Sequence, residues 1–335
     1  MLNRRDFLRS TAASAAFAAL TNKGISTPRR ADVPAPKPEI QVFVTDAQRR
    51  HQRVPSLRWT QTQADSTASG IVIDPSQRYQ PVLGFGAALT DAACYVISQL
   101  PEAARKTLLN ELFSPGEMGF SVCRICIGSS DYSRNVFSYD EGEPDPQLAR
   151  FSIDHDREYI LPTLRAAREA NPDLFLLASP WSPPGWMKDN NSMLGGTIRR
   201  RYLKTYADYI VKFLQAYETA GVEIQAVTPQ NEVDTDQDSR MPACLFPQEA
   251  EVQYVGEMLG PAIMQAGLKT KIWLVDHNYN LWGRAICELD NDTVKRVTRA
   301  IAWHGYLGEP ELVQKLADAH PDAEMYWTEG GPDVT

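Results

Sequence analysis

Two glutamates stand where apolar runs give way to polar ones. Glu232 closes Thr228-Pro229-Gln230-Asn231-Glu232, and Glu329 follows Tyr326-Trp327-Thr328. A carboxyl pair flanking one bond is what acetal hydrolysis requires. One group gives a proton to the leaving oxygen, and the other attacks or stabilises the carbon left behind. Groups at neighbouring run ends suit a sugar. Asp131 follows Gly128-Ser129-Ser130, Trp181 lies in Ser179-Pro180-Trp181-Ser182, and His304-Gly305-Tyr306 closes another apolar stretch. Carboxylates and amides bind hydroxyls, while flat aromatic rings cover the apolar C–H face of a pyranose.

These groups need a scaffold that brings distant segments together. Seven short apolar runs, at 82–88, 120–127, 174–179, 224–228, 271–275, 300–303 and 324–327, alternate with amphipathic segments. That alternation predicts a parallel α/β sheet. The helix expected over 201–220 places Tyr202, Tyr206, Tyr209, Ile210, Phe213, Leu214 and Tyr217 on one face, with Gly221 as its stop. Another helix is expected over 102–113, led by Pro101. A doubly wound nucleotide binder would carry G-x-G-x-x-G after an early strand, but Gly84-Phe85-Gly86 is followed by Ala87, Ala88 and Leu89. The expectation is therefore a (β/α)8 TIM barrel, with function at the carboxyl ends of its strands. On that count Glu232 belongs to the fourth strand and Glu329 to the seventh. Ahead of the barrel, 37–79 reads as a β segment, with strands at 40–44 and 70–73.

Composition narrows the partners. Of 335 residues, 43% are hydrophobic, and 42 acidic against 34 basic side chains leave a net charge of −8. An acidic surface does not favour phosphate backbones, so nucleic acid is not an expected partner. The N-terminus runs Asn3-Arg4-Arg5-Asp6-Phe7-Leu8 into an alanine-rich stretch ending at Leu20. This resembles a twin-arginine export signal, too short for a membrane span, and predicts a periplasmic or extracellular protein. Residues 1–36 are read as signal plus a proline-rich linker, 37–79 as the β segment and 80–335 as the barrel. Five cysteines do not suggest a disulfide scaffold, and Cys123 and Cys126 point to opposite faces of a strand. Asp276, His277 and His304 invite a metal reading, but neither His-x-His nor H-E-x-x-H occurs, so no metal or other cofactor is expected.

The run Gly84-Phe85-Gly86-Ala87-Ala88-Leu89-Thr90-Asp91-Ala92, then Gly128-Ser129-Ser130-Asp131-Tyr132-Ser133, Ala178-Ser179-Pro180-Trp181-Ser182-Pro183-Pro184, Val227-Thr228-Pro229-Gln230-Asn231-Glu232 and Thr328-Glu329 resembles glycoside hydrolase family 30, the glucosylceramidase family. The resemblance spans about residues 80–331 and keeps order and spacing. It implies a retaining β-glycosidase with Glu232 as acid/base, Glu329 as nucleophile, and Asn231 on the sugar 2-hydroxyl. Asp131 and Trp181 would hold the sugar, with His304 and Tyr306 near the nucleophile. Asp91 is either a further substrate contact or a helix cap. Two positions depart from the family pattern: Val233 replaces a proline, and Gly305 replaces an aromatic. The implied substrate is a β-glucoside, with glucosylceramide ahead of β-1,6-glucan and xylan. As acid, Glu232 should have a raised pKa. The chain ends six residues after Glu329, so the expected barrel lacks its last strand and helix, beside an incomplete side β-sandwich. A reading from another class is thus a truncated, non-catalytic carbohydrate-binding relic.

Overall fold

The computed structural model describes residues 39–60, 73, 74 and 76–331. The twin-arginine segment and residues 70–72 lie outside them. The chain divides into two compact units between Ser76 and Gln77.

The first unit contains an antiparallel pair, β1 (Ile40–Val44) and β2 (Gln52–Leu57), in which Val42 faces Val54 and Val44 faces Gln52. The Asp46 carboxylate accepts from the backbone N–H groups of Gln48 and Arg49 and so shapes the connecting turn. Of the strand expected at 70–73, residues 70–72 lie outside the described residues, and Ile73 is outside any strand. β2 escaped prediction because a serine, Ser56, takes the half-buried side, Leu57 takes the exposed side, and Pro55 argues against a strand. Proline is tolerated there because among the described residues β2 pairs with β1 alone.

The second unit carries seven parallel strands in sequential order: β3 (Gly86–Ala88), β4 (Val122–Ile127), β5 (Phe175–Pro180), β6 (Ala226–Val227), β7 (Lys271–Asn278), β8 (Ala300–His304) and β9 (Glu324–Glu329). All seven predicted strands are present, and the sheet is curled. Gln80, upstream of β3, bonds through its side chain to both the N–H and the C=O of Met325 in β9, at 2.7 and 2.9 Å. Helices pack on the outer face. Glu102–Phe113 forms as expected, and Leu203–Thr219 buries Tyr206, Tyr209, Ile210, Phe213, Leu214 and Tyr217. Gly221 ends that helix at φ +78°, a conformation that costs other residues a Cβ clash.

The inner face has two layers. Toward the amino ends of the strands, Trp273 stacks between Phe175 and Tyr326, with Leu177, Ala226, Ala300 and Ala302 around it. Toward the carboxyl ends the layer turns polar, with Arg124, Ser179, Thr228, Asp276 and His304 all buried. A packed apolar floor beneath a polar mouth is the division of labour of parallel barrels. Among the described residues no helix is long and apolar enough to cross a membrane.

Candidate active site

The polar layer is organised by Arg124 and Asp276. Arg124 sits mid-strand in β4 and points inward. Its guanidinium donates to Ser179 Oγ at 3.1 Å, Asn231 Oδ1 at 2.6 Å, Asp276 Oδ2 at 2.7 Å and Glu329 Oε2 at 2.5 Å. Its face lies 4.6 Å above the centre of the Trp181 ring. Only a planar cation with five divergent donors can serve strands β5, β7 and β9 and the loop after β6 at once. Asp276 is fully buried and also accepts from Thr228 and Thr328. Burial alone would raise its carboxyl. The Arg124 charge and the His304 imidazole outweigh burial and hold it well below the usual carboxylate range.

Backbone strain aims this cluster. The pairing of β7 with β8 shifts register between Val275 and His277, and Val275 and Asp276 adopt φ of +71° and +46°. Left-handed geometry at a β-branched residue persists only where the surroundings enforce it. The kink turns both Asp276 and His277 toward the mouth. Glu232, at φ +52°, bonds through its N–H to the Asp276 carbonyl at 3.0 Å. The kinked strand thus fixes the backbone that carries Glu232.

The two glutamates flank one imidazole. Glu232 Oε1 lies 3.6 Å from His304 Nδ1, and Glu329 Oε2 lies 3.7 Å from His304 Nε2. One ring and two contacts link them, so both carboxyls face the same side chain at the mouth. His304 Nε2 also meets Asp276 Oδ1 at 3.1 Å. Burial works against charge on His304, but Asp276 and Glu232 outweigh it and move its pKa upward.

The remaining predicted residues divide. Asn231 is brought in: Arg124 claims its Oδ1, leaving its NH2 as the group free to donate. Trp181 is brought in under Arg124. Asp131 lies close enough that, after burial, the charges of Glu329 and Glu232 raise its pKa. The Tyr306 ring stands perpendicular to His304 with centroids 6.2 Å apart, and burial followed by the Glu329 charge pushes its phenol to about 12. Asp91 is not part of this cluster. Its carboxylate is spent on Tyr159, on His155 at 2.8 Å and on the Arg134 N–H, while Thr90 caps the helix Asp91–Ser98 by accepting from the Ala93 N–H. It ties the loop after β4 to the helical layer.

The raised pKa expected for Glu232 is not found. Burial does push it up, but His304, His277 and the Gln237 amide together carry it below the ordinary value. Local sequence could not reveal this, because two of these three neighbours come from other strands. The sequence reading also missed Arg124 and Gln237, and weighed Asp276 and His277 only as metal ligands. One signal was available for Arg124: a lone charge inside the apolar run Val122–Ile127.

A curled parallel sheet with paired carboxyls at its strand ends has the architecture of a barrel-type glycoside hydrolase. The family model described as "Glycosyl hydrolase family 30 TIM-barrel domain" matches residues 82–331, and the chain belongs to that family. An endo-1,6-beta-D-glucanase of Neurospora crassa is 36% identical over 82% of this chain and 58% of its own length. Lysosomal acid glucosylceramidase of Mus musculus is 30% identical over 82% of the chain and 56% of its length. The chain thus spans little more than half the length of these relatives. Among solved structures, an endo-beta1,6-glucanase superposes with TM-score 0.73 at 32% identity, covering 78% of this chain and 60% of that one. SrfJ from Salmonella typhimurium gives 0.79 at 28%, covering 86% and 65%.

Proposed function

We propose that this chain carries the catalytic barrel of a retaining β-glycosidase that cleaves β-1,6-glucan, with Glu329 as nucleophile and Glu232 as acid/base. The observation that carries this reading is the placement of both carboxylates against opposite nitrogens of His304. Arg124 grips one Glu329 oxygen, leaving the other to meet the anomeric carbon. Attack forms a glycosyl-enzyme ester as Glu232 protonates the leaving oxygen. Glu232, now ionised, then takes a proton from the water that breaks the ester. Asn231 donates to the sugar 2-hydroxyl. Asp131 and Trp181 hold the sugar in the same subsite, and Tyr306 lies at its rim. The lowered pKa of Glu232 belongs to the open mouth. A bound sugar displaces water from the carboxyl and strengthens the burial contribution that already pushes it upward.

The substrate order differs from the sequence expectation, which put glucosylceramide first. Fungal endo-1,6-beta-glucanases match at 36%, 33% and 31%, against 32% and 30% for putative glucosylceramidases of Caenorhabditis elegans and 30% for the mouse glucosylceramidase. The margin is small, and the solved glucanase supports the same order. Export through the twin-arginine route remains part of the proposal and suits a polymeric substrate outside the cytoplasm.

The test offers β-1,6-glucan and glucosylceramide side by side and follows the anomer first released. β-Anomer from the glucan is expected. An α-anomer would remove the double displacement, and release from the glycolipid alone would restore the other substrate. A mechanism-based 2-fluoroglucoside should label Glu329, and Glu329→Gln should abolish turnover; label on another carboxylate reassigns the nucleophile.

A further inference from the structure

The acid/base and the two imidazoles beside it, from β7 and β8, together form a set of converging donors. His277 Nδ1 stands 3.8 Å from Glu232 Oε1, and His304 Nδ1 stands 3.6 Å from the same oxygen. Both separations exceed hydrogen-bond length. Both Nδ1 atoms are buried without a hydrogen-bond partner among the described residues, and the three donor atoms lie within 4.8 Å of one another. The opposite nitrogens are already engaged. His277 Nε2 meets Asp234 Oδ1 at 2.5 Å, and His304 Nε2 meets Asp276 Oδ1 at 3.1 Å. A carboxylate behind each imidazole orients the ring and leaves Nδ1 facing Glu232, the nitrogen through which each ring would bind an ion.

We infer that His277, His304 and Glu232 form a binding site for a divalent transition-metal ion of borderline softness, such as zinc. Donors about 2.1 Å from a tetrahedral zinc are spaced about 3.4 Å apart, so the two histidine–glutamate separations need contract by only a few tenths of an ångström, and the two imidazole nitrogens, within 4.8 Å of each other, by about 1.4 Å at most, to close the set around an ion. Two imidazoles and one carboxylate match zinc, copper or nickel rather than magnesium or calcium, which take oxygen donors. Charge agrees. Glu232, Asp234, Asp276 and Glu329 gather around the site against the single guanidinium of Arg124. The three ligands come from two strand ends and one loop, so no local spacing in the sequence announces them.

The ion has no step in the hydrolysis. Coordination occupies the Glu232 oxygen, so zinc should inhibit turnover; this consequence, unlike binding itself, rests on Glu232 being the acid/base. The chelated, metal-free protein is the active form.

The test titrates the chelator-treated chain with zinc by calorimetry and with cobalt by ligand-field absorption. One ion per chain is expected, with tetrahedral cobalt bands and no competition from magnesium. Asp234→Asn should weaken binding about 10–100-fold by loosening His277. His277→Gln and the near-isosteric Glu232→Gln should each weaken it at least as much, and the latter keeps the test open should the histidine variant fail to fold. Absence of saturable binding, or binding unchanged in both ligand variants, overturns the site. Zinc bound in a ligand-dependent way while β-glucoside hydrolysis continues undiminished leaves the site standing and removes Glu232 from the acid/base role. Hydrolysis that zinc leaves unaffected, in a chain that binds none, does the reverse.

Discussion

Arg124 shows how one side chain can hold a site together. It pairs with Asp276 and Glu329, fixes the Asn231 amide and roofs Trp181. Truncation leaves the buried Asp276 carboxylate without its cation, and breaking a buried pair from one side typically costs about 3–5 kcal/mol. Arg124→Ala should therefore lose stability of that order in denaturant titration, with kcat/KM falling below detection. Arg124→Lys separates the two roles. It restores a charge but not the fork, since an ammonium cannot serve four acceptors spread over three strands and a loop. Its unfolding midpoint should lie between those of the parent and the alanine variant, while kcat/KM still falls at least about tenfold. Full activity in the lysine variant would show that charge alone suffices. Glu232 and Glu329 were legible in the sequence because each ends an apolar run. Arg124 was legible only as an anomaly, a charge within Val122–Ile127 whose neighbouring cysteines drew attention instead.

At the level of elements, the helix Leu203–Thr219 conceals a titratable group under its aromatic face. Tyr217 and Tyr139 both donate to Asp156 Oδ2, and Asp156 Oδ1 has no hydrogen-bond partner among the described residues. Burial outweighs the two phenols and raises this carboxyl from 3.8 to about 6. Between those values the folded protein binds more protons at this site than the unfolded chain does. Stability therefore falls as pH rises through that window, and above it the penalty, about 3 kcal/mol, is fully present. Asp156→Asn keeps an acceptor for both phenols and has no charge to bury. The variant should match or exceed the parent in stability at about pH 8 and lose that advantage near pH 4. A constant difference across the range would mean that Asp156 does not titrate in it. The apolar face of this helix was readable from its 3.6-residue period. Asp156 was not, because the tyrosines that receive it lie 17 and 61 residues away.

On the scale of the whole second unit, the curl of the sheet brings groups from opposite ends of the sequence into contact. Arg124 and Glu329 are 205 residues apart, and Gln80 meets the backbone of Met325 across 245. Gln80 supplies β9 with a substitute for part of a neighbouring strand. Gln80→Ala should cost about 1–3 kcal/mol for the two bonds and speed hydrogen exchange at the Met325 amide. Unchanged exchange would mean that this contact does not hold the edge. The sequence by itself determined the alternation of strands and helices, the order of the motifs and the two glutamates at strand ends. These are written in local period and in residue type, which the chain carries before it folds. Tertiary structure alone decided that β2 pairs with β1, that Asp91 serves the scaffold, that Arg124 and Asp276 link the strands, and that Glu232 is pushed down rather than up. The physical reason is range: periodicity is set by adjacent residues, whereas a carboxyl's charge state is set by whichever dipoles and charges folding places within a few ångströms of it.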